Sequence, residues 1–156
     1  STHGGSIRIF IKKGKNIKIE KNVKDLIKNE EEFGIKNFKT YQNFGNKVYQ
    51  IRENVLKNIS KLRKEKKKII GYGAPAKATT ALNFFGISNQ VDFVVEDNKL
   101  KHGKFIPGVK IPIKNKSTIK DKNNTTLVLA WNFFNEIKSK NSNISDNFIN
   151  IKDLEK

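Results

Sequence analysis

The fold of this chain is decided by the stretch Lys68-Ile69-Ile70-Gly71-Tyr72-Gly73-Ala74-Pro75-Ala76-Lys77. Its isoleucines predict a short buried strand, its two glycines a tight turn, and its proline the first turn of a helix. Such a turn lets the backbone approach a ligand closely, and the start of the helix favours an anion such as a phosphate. The stretch also fits the dinucleotide-binding pattern G-x-G-x-x-A, with Glu96 and Asp97 near the spacing of a ribose-binding acid.

The segments after this turn alternate between strand and helix patterns. Strands are predicted at 90–96, 125–130 and 148–151, and helices at 75–85 and 133–140. Residues 101–113 contain several glycines and prolines and predict a structured loop. Strands separated by helices form parallel sheets with right-handed crossovers. The sequence therefore predicts an α/β fold, with a Rossmann-like parallel sheet flanked by helices.

The residues before the turn predict a long helix and, ahead of it, a smaller part. Apolar residues recur at helical spacing over 46–67, which predicts the long helix. Alternating isoleucines predict a strand over 6–13, and a short helix follows at 22–33. Asn22 is the candidate N-cap of this short helix, Gly34 its end, and 37–45 a connector. We expect two parts, 1–45 and 46–156.

The composition limits the classes of protein to consider. The chain has 156 residues and a formal net charge of +17, which suggests nucleic acid as a partner. Arginine, which base and phosphate recognition favours, occurs only at Arg8, Arg52 and Arg63, and the lysines are spread along the chain. We therefore expect neither nucleic acid nor a membrane as a partner. Cysteine is absent and His3 and His102 lie far apart, so we expect no metal site. Because no apolar run approaches a membrane span and no signal peptide is visible, we expect a soluble, cytoplasmic protein.

In parallel sheets, ligands bind in the crevice beyond the carboxyl ends of the strands. Three predicted strand exits meet there, at 71–77, 96–101 and 131–134. They bring together glycines, a lysine, carboxylates and an aromatic ring, which suit the phosphates, hydroxyls and base of a nucleotide or sugar nucleotide. The candidate substrate-binding residues are Gly71, Tyr72, Gly73, Ala74, Pro75, Ala76, Lys77, Asp97, Asn98, Lys101, Trp131, Asn132 and His3.

Each of these signals also has a structural alternative. The glycines suit a tight turn without a ligand, Lys77 a solvated lysine, and Trp131 simple packing. Asp97-Asn98 is also typical of a turn that caps a strand. A histidine such as His3 can act as an acid or base near neutral pH, but no partner for it is visible in the sequence. We find no nucleophile arrangement and no convincing carboxylate pair, so we assign no catalytic residue.

Several motifs occur in one order along nearly the whole chain. They are His3-Gly4-Gly5-Ser6-Ile7-Arg8, the stretch Gly71 to Lys77, Asp97-Asn98 with Lys101 and Gly103, Pro107-Gly108, Ile111-Pro112-Ile113, and Leu129-Ala130-Trp131-Asn132. Together they closely resemble the C-terminal part of the SAM-dependent sugar C-methyltransferases, which methylate a carbon of a nucleotide-linked deoxy-keto sugar. The resemblance implies that 46–156 form a Rossmann-like C-terminal domain that holds a nucleotide-diphosphate sugar. It also implies that 1–45 are a remnant of the edge of the methyltransferase domain.

The family's zinc cysteines, its SAM-binding glycine loop and its Tyr-x-Glu-His segment are absent from this sequence. The resemblance therefore implies a piece that is inactive alone and binds no cofactor, while S-adenosylmethionine serves the full-length enzyme. Its partner is then the missing N-terminal methyltransferase domain. Without that domain's sheet, the strand at 6–13 lacks neighbours. We expect it to pair with a second copy in a homodimer, to pack on the C-terminal domain, or to be poorly ordered.

Two other classes of protein stay open on the residues alone. A stand-alone NAD- or CoA-type dinucleotide-binding module uses the same glycine turn together with Glu96 or Asp97. The other class is a basic nucleic-acid binder. Contacts to phosphates weaken steeply as salt rises, so retention of the chain on DNA at physiological salt would favour this class.

Overall fold

A computed structural model describes residues 5–65 and 67–156 of the chain, so that His3 lies outside the described residues. The chain divides into two compact units, with the boundary between Phe44 and Gly45. The helices are α1 Lys21–Phe33, α2 Phe38–Lys64, α3 Ala76–Phe85 and α4 Phe134–Lys140. The strands are β1 Lys68–Tyr72, β2 Phe93–Val95, β3 Ile113–Lys114, β4 Asn124–Val128 and β5 Asn147–Asn150.

The strands form one parallel sheet, in the order β3-β2-β1-β4-β5. The chain runs from the central β1 outward through β2 to β3, and then returns to the other side of β1 as β4. The direction of progress thus reverses between β1 and β4, and in open α/β sheets such a reversal opens a crevice at the carboxyl ends of the two strands. The predicted α/β fold with a Rossmann-like parallel sheet is confirmed.

Helices cover both faces of the sheet because successive strand residues face opposite sides. On one face, Ile69 of β1 packs in a cluster with Ile59 of α2 and Leu82 of α3, and all three are fully buried. On the other face, Ile70 of β1 belongs to a second cluster, against which Ile137 of α4 packs. Each large apolar side chain that is buried in this way contributes about 1.5–3 kcal/mol to folding.

The helix ends follow their capping residues. Gly86 ends α3 and Gly34 ends α1, both in the left-handed conformation, at φ 68° and 84°, as predicted. The predicted N-cap Asn22 is wrong, because α1 already includes it and its Oδ1 accepts a hydrogen bond from the next N–H at 2.9 Å. The predicted connector at 37–45 is also wrong. Asn37 Oδ1 accepts the N–H of Lys39 at 2.9 Å, and this cap starts α2 directly after it.

Residues 6–13 do not form the predicted strand. Their backbone has no regular secondary structure, and Phe10 and Ile11 are 87% and 91% exposed. A strand is stabilised by hydrogen bonds to a neighbouring strand, and none of the pairings within the described residues involves this segment. In the whole of 5–44 no side chain is buried, including those on the apolar face of α1.

Candidate functional site

The two glycines of the β1–α3 turn have different structural roles. Gly71 lies within β1, where a Cβ atom would come within 2.8 Å of Val94 Cγ2 and 2.9 Å of Leu129 Cδ1, so it serves close packing. Gly73 lies at the turn itself with φ 89°, a conformation that favours glycine. A Cβ atom there would lie 2.8 Å from Ala130 Cβ, so Gly73 also lets the exits of β1 and β4 approach each other.

The backbone N–H groups at this turn are hydrogen-bonded within the chain. Gly73 N donates to Val95 O at 2.8 Å, and Ala74 N donates to Glu96 Oε2 at 2.8 Å. Pro75, which follows them, has no N–H to offer. Two of the N–H groups that this turn could offer to a phosphate therefore already contact the chain's own oxygen atoms.

Glu96 lies directly after β2 and is held from several sides. Its Oε2 is 3.2 Å from Lys101 Nζ, which also donates to Ala74 O at 2.9 Å, and its Oε1 accepts the N–H of Asn98 at 3.1 Å. Only 14% of the Glu96 side chain is exposed. Burial acts to raise the pKa of this carboxyl, but the hydrogen bonds from the two N–H groups and the nearby ammonium outweigh burial and hold that pKa below its ordinary value. Glu96 is therefore a charged carboxylate beside the turn that precedes α3.

A second polar group is centred on Tyr72, the last residue of β1. Its hydroxyl oxygen lies 2.9 Å from Asp97 Oδ2 and 3.2 Å from Asn141 Oδ1. Lys116 Nζ lies 3.2 Å from both the Asp97 carboxylate and Asn141 Oδ1. Burial and the hydrogen bond to Asp97 raise the pKa of the Tyr72 phenol, so the hydroxyl keeps its proton and acts as a donor.

These two groups share a crevice of about 420 Å³ at the carboxyl ends of β1 and β4. Its lining residues are Tyr72, Gly73, Pro75, Glu96, Asp97, Lys101, Ala130, Phe133, Glu136, Ile137, Lys140 and Asn141. Of the candidate residues from the sequence, Tyr72, Gly73, Pro75, Asp97 and Lys101 thus lie together. The lining includes both ionic groups and apolar surface, because Phe133 is 60% exposed.

The other candidate residues lie elsewhere or play a local role. Lys77 Nζ lies 4.6 Å from the centre of the Trp131 ring. These two side chains line a different, apolar groove of about 420 Å³, with Val48, Ile51, Thr80, Ala81, Phe84 and Phe85. Asn98 Oδ1 accepts the N–H of Leu100 at 3.0 Å and so caps a short turn. Ala76 is the exposed first residue of α3, and Asn132 is exposed in the 3-10 turn that follows β4.

Sequence reasoning missed the contribution of α4 to the crevice. Glu136 and Lys140 are one helical turn apart and form an ion pair at 2.7 Å, and Ile137 and Asn141 line the crevice beside them. The signal was present in the spacing of these four residues, since positions three and four apart share a helix face. The sequence alone does not tell which face of α4 turns toward β1.

The described residues contain neither a candidate metal site nor a helix that could span a membrane. Within 5–65 and 67–156, no group of three or more histidine, aspartate or glutamate side chains lies close enough to hold a metal ion. Over the same residues, every helix is too short or too polar to cross a membrane.

Comparison with known proteins places this sequence in a family. The model of the C-methyltransferase C-terminal domain matches residues 1–150. The C-methyltransferase NovU of Streptomyces niveus is 29% identical over 138 residues, which cover 86% of this chain and 33% of that protein. The chain thus spans about a third of the length of the curated relative it matches. With a family match over nearly its whole length, this chain belongs to the C-methyltransferase C-terminal domain family.

Proposed function

We propose that residues 46–156 hold the nucleotide-diphosphate sugar on which a SAM-dependent C-methyltransferase acts. One observation carries the proposal: the crevice between the carboxyl ends of β1 and β4 is lined by carboxylates, lysines, an amide and an exposed aromatic ring. That position is the usual ligand site of an open α/β sheet. Carboxylates and amides accept hydrogen bonds from sugar hydroxyls, and an aromatic face packs on the apolar side of a sugar ring. Membership in the family supports the reaction class.

We place the methyl donor on another part of the enzyme. Two contacts support this placement: a carboxylate already contacts Ala74 N in the turn before α3, and Gly73 N is bonded to Val95 O. The chain also corresponds to about a third of its relative. We therefore propose that it transfers no methyl group alone, that it binds no cofactor, and that it works in the cytoplasm, where nucleotide sugars are substrates.

We also propose that residues 1–45 are the edge of the methyltransferase domain and pack against the rest of it. Support comes from the exposed apolar side chains of this part, which include Ile7, Ile9, Phe10 and Ile11 in the extended segment. In α1, Val23, Leu26 and Ile27 are also exposed and lie at the three- and four-residue spacing of one helix face. Apolar surface of this kind is typical of a protein interface. A homodimer through the same surface is the competing arrangement, and sedimentation of the chain alone would detect it.

The contact of Glu96 with the glycine turn argues against the stand-alone NAD- or CoA-binding module, although the G-x-G-x-x-A pattern fits that module. In that module the N–H groups of the glycine turn contact a pyrophosphate, and the acid after the second strand contacts a ribose. Here Glu96, an acid after the second strand, instead accepts a hydrogen bond from the turn itself.

Calorimetric titration of the full chain with dTDP-glucose and UDP-glucose tests the proposal. We expect measurable binding that weakens about tenfold or more in Asp97→Ala, because a charged hydrogen-bond acceptor is lost from the crevice. Asp146→Ala is the matched control, since Asp146 is an exposed acid paired with Lys122 at 3.5 Å and does not line the crevice. Absence of heat with every nucleotide sugar, or equal weakening in both variants, would count against a substrate site in this chain. Incubation with S-adenosylmethionine and a nucleotide sugar should yield no methylated product.

A further inference from the structure

We propose that the crevice receives the neutral, hydroxyl-rich part of its ligand, and that the Glu96 carboxylate keeps phosphate groups off the glycine turn. This inference rests on the proposed function, because it assigns the sugar and the diphosphate of one ligand to different places. Glu96 would then determine which part of the ligand enters the crevice.

The first support is the place of the Glu96 carboxylate. In phosphate-binding turns, backbone N–H groups at the start of the helix contact the anion. Here Oε2 of Glu96 takes one N–H group of the glycine turn, that of Ala74 at 2.8 Å, two residues before α3 begins. Oε2 also lies 3.2 Å from Lys101 Nζ, a cation that would otherwise attract a phosphate. A phosphate at the same place would meet a carboxylate of like charge that is held from three sides.

The second support is the charge of the crevice. Among the described residues, its lining includes three carboxylates, Glu96, Asp97 and Glu136, and two ammonium groups, Lys101 and Lys140, which gives −3 + 2 = −1. The whole chain, in contrast, has a formal net charge of +17. A surface that attracts a diphosphate carries an excess of positive charge. This crevice has no such excess, because the charges only balance even when Lys116, 3.2 Å from Asp97, is added to the sum.

The third support is that the lysines at the crevice each contact a carboxylate. Lys101 lies 3.2 Å from Glu96, and Lys140 lies 2.7 Å from Glu136. Lys116, which contacts Asn141 from beside the crevice, lies 3.2 Å from Asp97. Binding of a diphosphate would have to compete with these carboxylates for the ammonium groups.

A neutral polyol suits the same groups. Each hydroxyl both donates and accepts, so it can donate to a carboxylate oxygen while it accepts from a neighbouring ammonium group. The rest of the lining is apolar and includes Pro75, Phe133 and Ile137, on which the C–H face of a sugar ring can pack. The crevice volume of about 420 Å³ is within the range of small-ligand sites.

The test compares ligands that share one base. The full chain is titrated with dTDP-glucose, dTDP and inorganic pyrophosphate, and with the matching uridine compounds, by calorimetry. We expect the nucleotide sugar to bind at least tenfold more tightly than the nucleoside diphosphate, and pyrophosphate not to compete with it. Equal affinity for nucleotide sugar and nucleoside diphosphate, or competition by pyrophosphate, overturns the inference but leaves the proposed function intact. If no nucleotide sugar binds, both are overturned.

Two variants distinguish the specific effect of the Glu96 carboxylate on phosphate binding from the general effect of removing a negative charge from the crevice. We expect Glu96→Ala to gain at least tenfold in affinity for pyrophosphate, because it exposes Ala74 N and releases Lys101. Glu136→Gln removes one carboxylate from the same crevice but leaves the turn unchanged. Its affinity for pyrophosphate should therefore rise much less. Equal gains in both variants overturn the role assigned to Glu96. In the wild-type chain, an amide spectrum in which pyrophosphate shifts the Ala74 N–H signal would overturn it as well, whether or not Glu96→Ala folds.

Discussion

The guanidinium of Arg63 and the carboxylate of Asp92 meet through two hydrogen bonds, from Nη1 to Oδ2 at 2.7 Å and from Nη2 to Oδ1 at 3.1 Å. Oδ2 also accepts the N–H of Ile69 at 2.9 Å. Burial acts to raise the pKa of the Asp92 carboxyl, but these hydrogen bonds and the positive charge of Arg63 outweigh it and lower that pKa. The pair connects the last turn of α2 to β1 and to the residue before β2.

Replacement of this carboxylate should weaken the domain measurably. We expect Asp92→Asn to lower the free energy of unfolding by about 1–2 kcal/mol, a value reduced for partial exposure, because a charged acceptor of three hydrogen bonds is lost. Urea unfolding followed by circular dichroism measures the change. Asp146→Asn removes an exposed carboxylate that lies 3.5 Å from Lys122 and should change the free energy by less than about 0.5 kcal/mol. An unchanged midpoint for Asp92→Asn would contradict the role given to the pair.

A methyl group added at Gly71 should destabilise the domain, whereas one added at Gly45 should stabilise it. In β1, the Cβ of Gly71→Ala would come within 2.8 Å of Val94 and 2.9 Å of Leu129, and such overpacking costs about 1–3 kcal/mol. In α2, nothing lies within 4 Å of the corresponding atom at Gly45. Gly45→Ala should therefore stabilise the helix by about 0.5–1 kcal/mol. Thermal unfolding of the two variants checks this, and a stabilised Gly71→Ala would show that the strand does not pack this closely.

Acid should destabilise the domain partly through Glu96. Its pKa is lower in the folded chain than its ordinary value of 4.5, so its ionised form contributes stability at pH values above 4.5. That contribution is lost as the pH falls from 4.5 through the lower pKa of the folded state. Urea midpoints measured from pH 6 to pH 3 should therefore fall more steeply for the wild type than for Glu96→Gln, which cannot ionise. Parallel curves would show that Glu96 does not prefer its charged form in the folded chain.

The sheet could be predicted because its signals are local. The stretch at 68–77 contains a strand, a turn and a helix start within ten residues, and Gly86 marks the end of the helix that follows. The segment at 6–13 has an equally clear alternation of apolar and polar residues but does not form a strand. Alternation indicates which side chains share a face, but it does not show whether a neighbouring strand is there to accept the hydrogen bonds.

The candidate site was predictable in place but not in detail. The parallel order of the strands brings Tyr72, Asp97 and Lys101 to one crevice, as the strand exits indicate. Lys77 and Trp131 follow two of the same strands, yet they line a different groove, because their side chains depend on how α3 and the turn after β4 are rotated. The contact of Glu96 with Ala74 is likewise a tertiary contact, made over 22 residues of chain.

The central place of β1 fixes the shape of one wall of the crevice. Hydrogen bonds to β2 on one side and β4 on the other hold the backbone that ends in Tyr72. Backbone amides in such a position exchange with solvent only when most of the domain opens, so this wall keeps its shape on the time scale of ligand exchange. Adjustment to a ligand is then left to exposed side chains such as Lys140 and Phe133, which can change rotamer without moving the sheet.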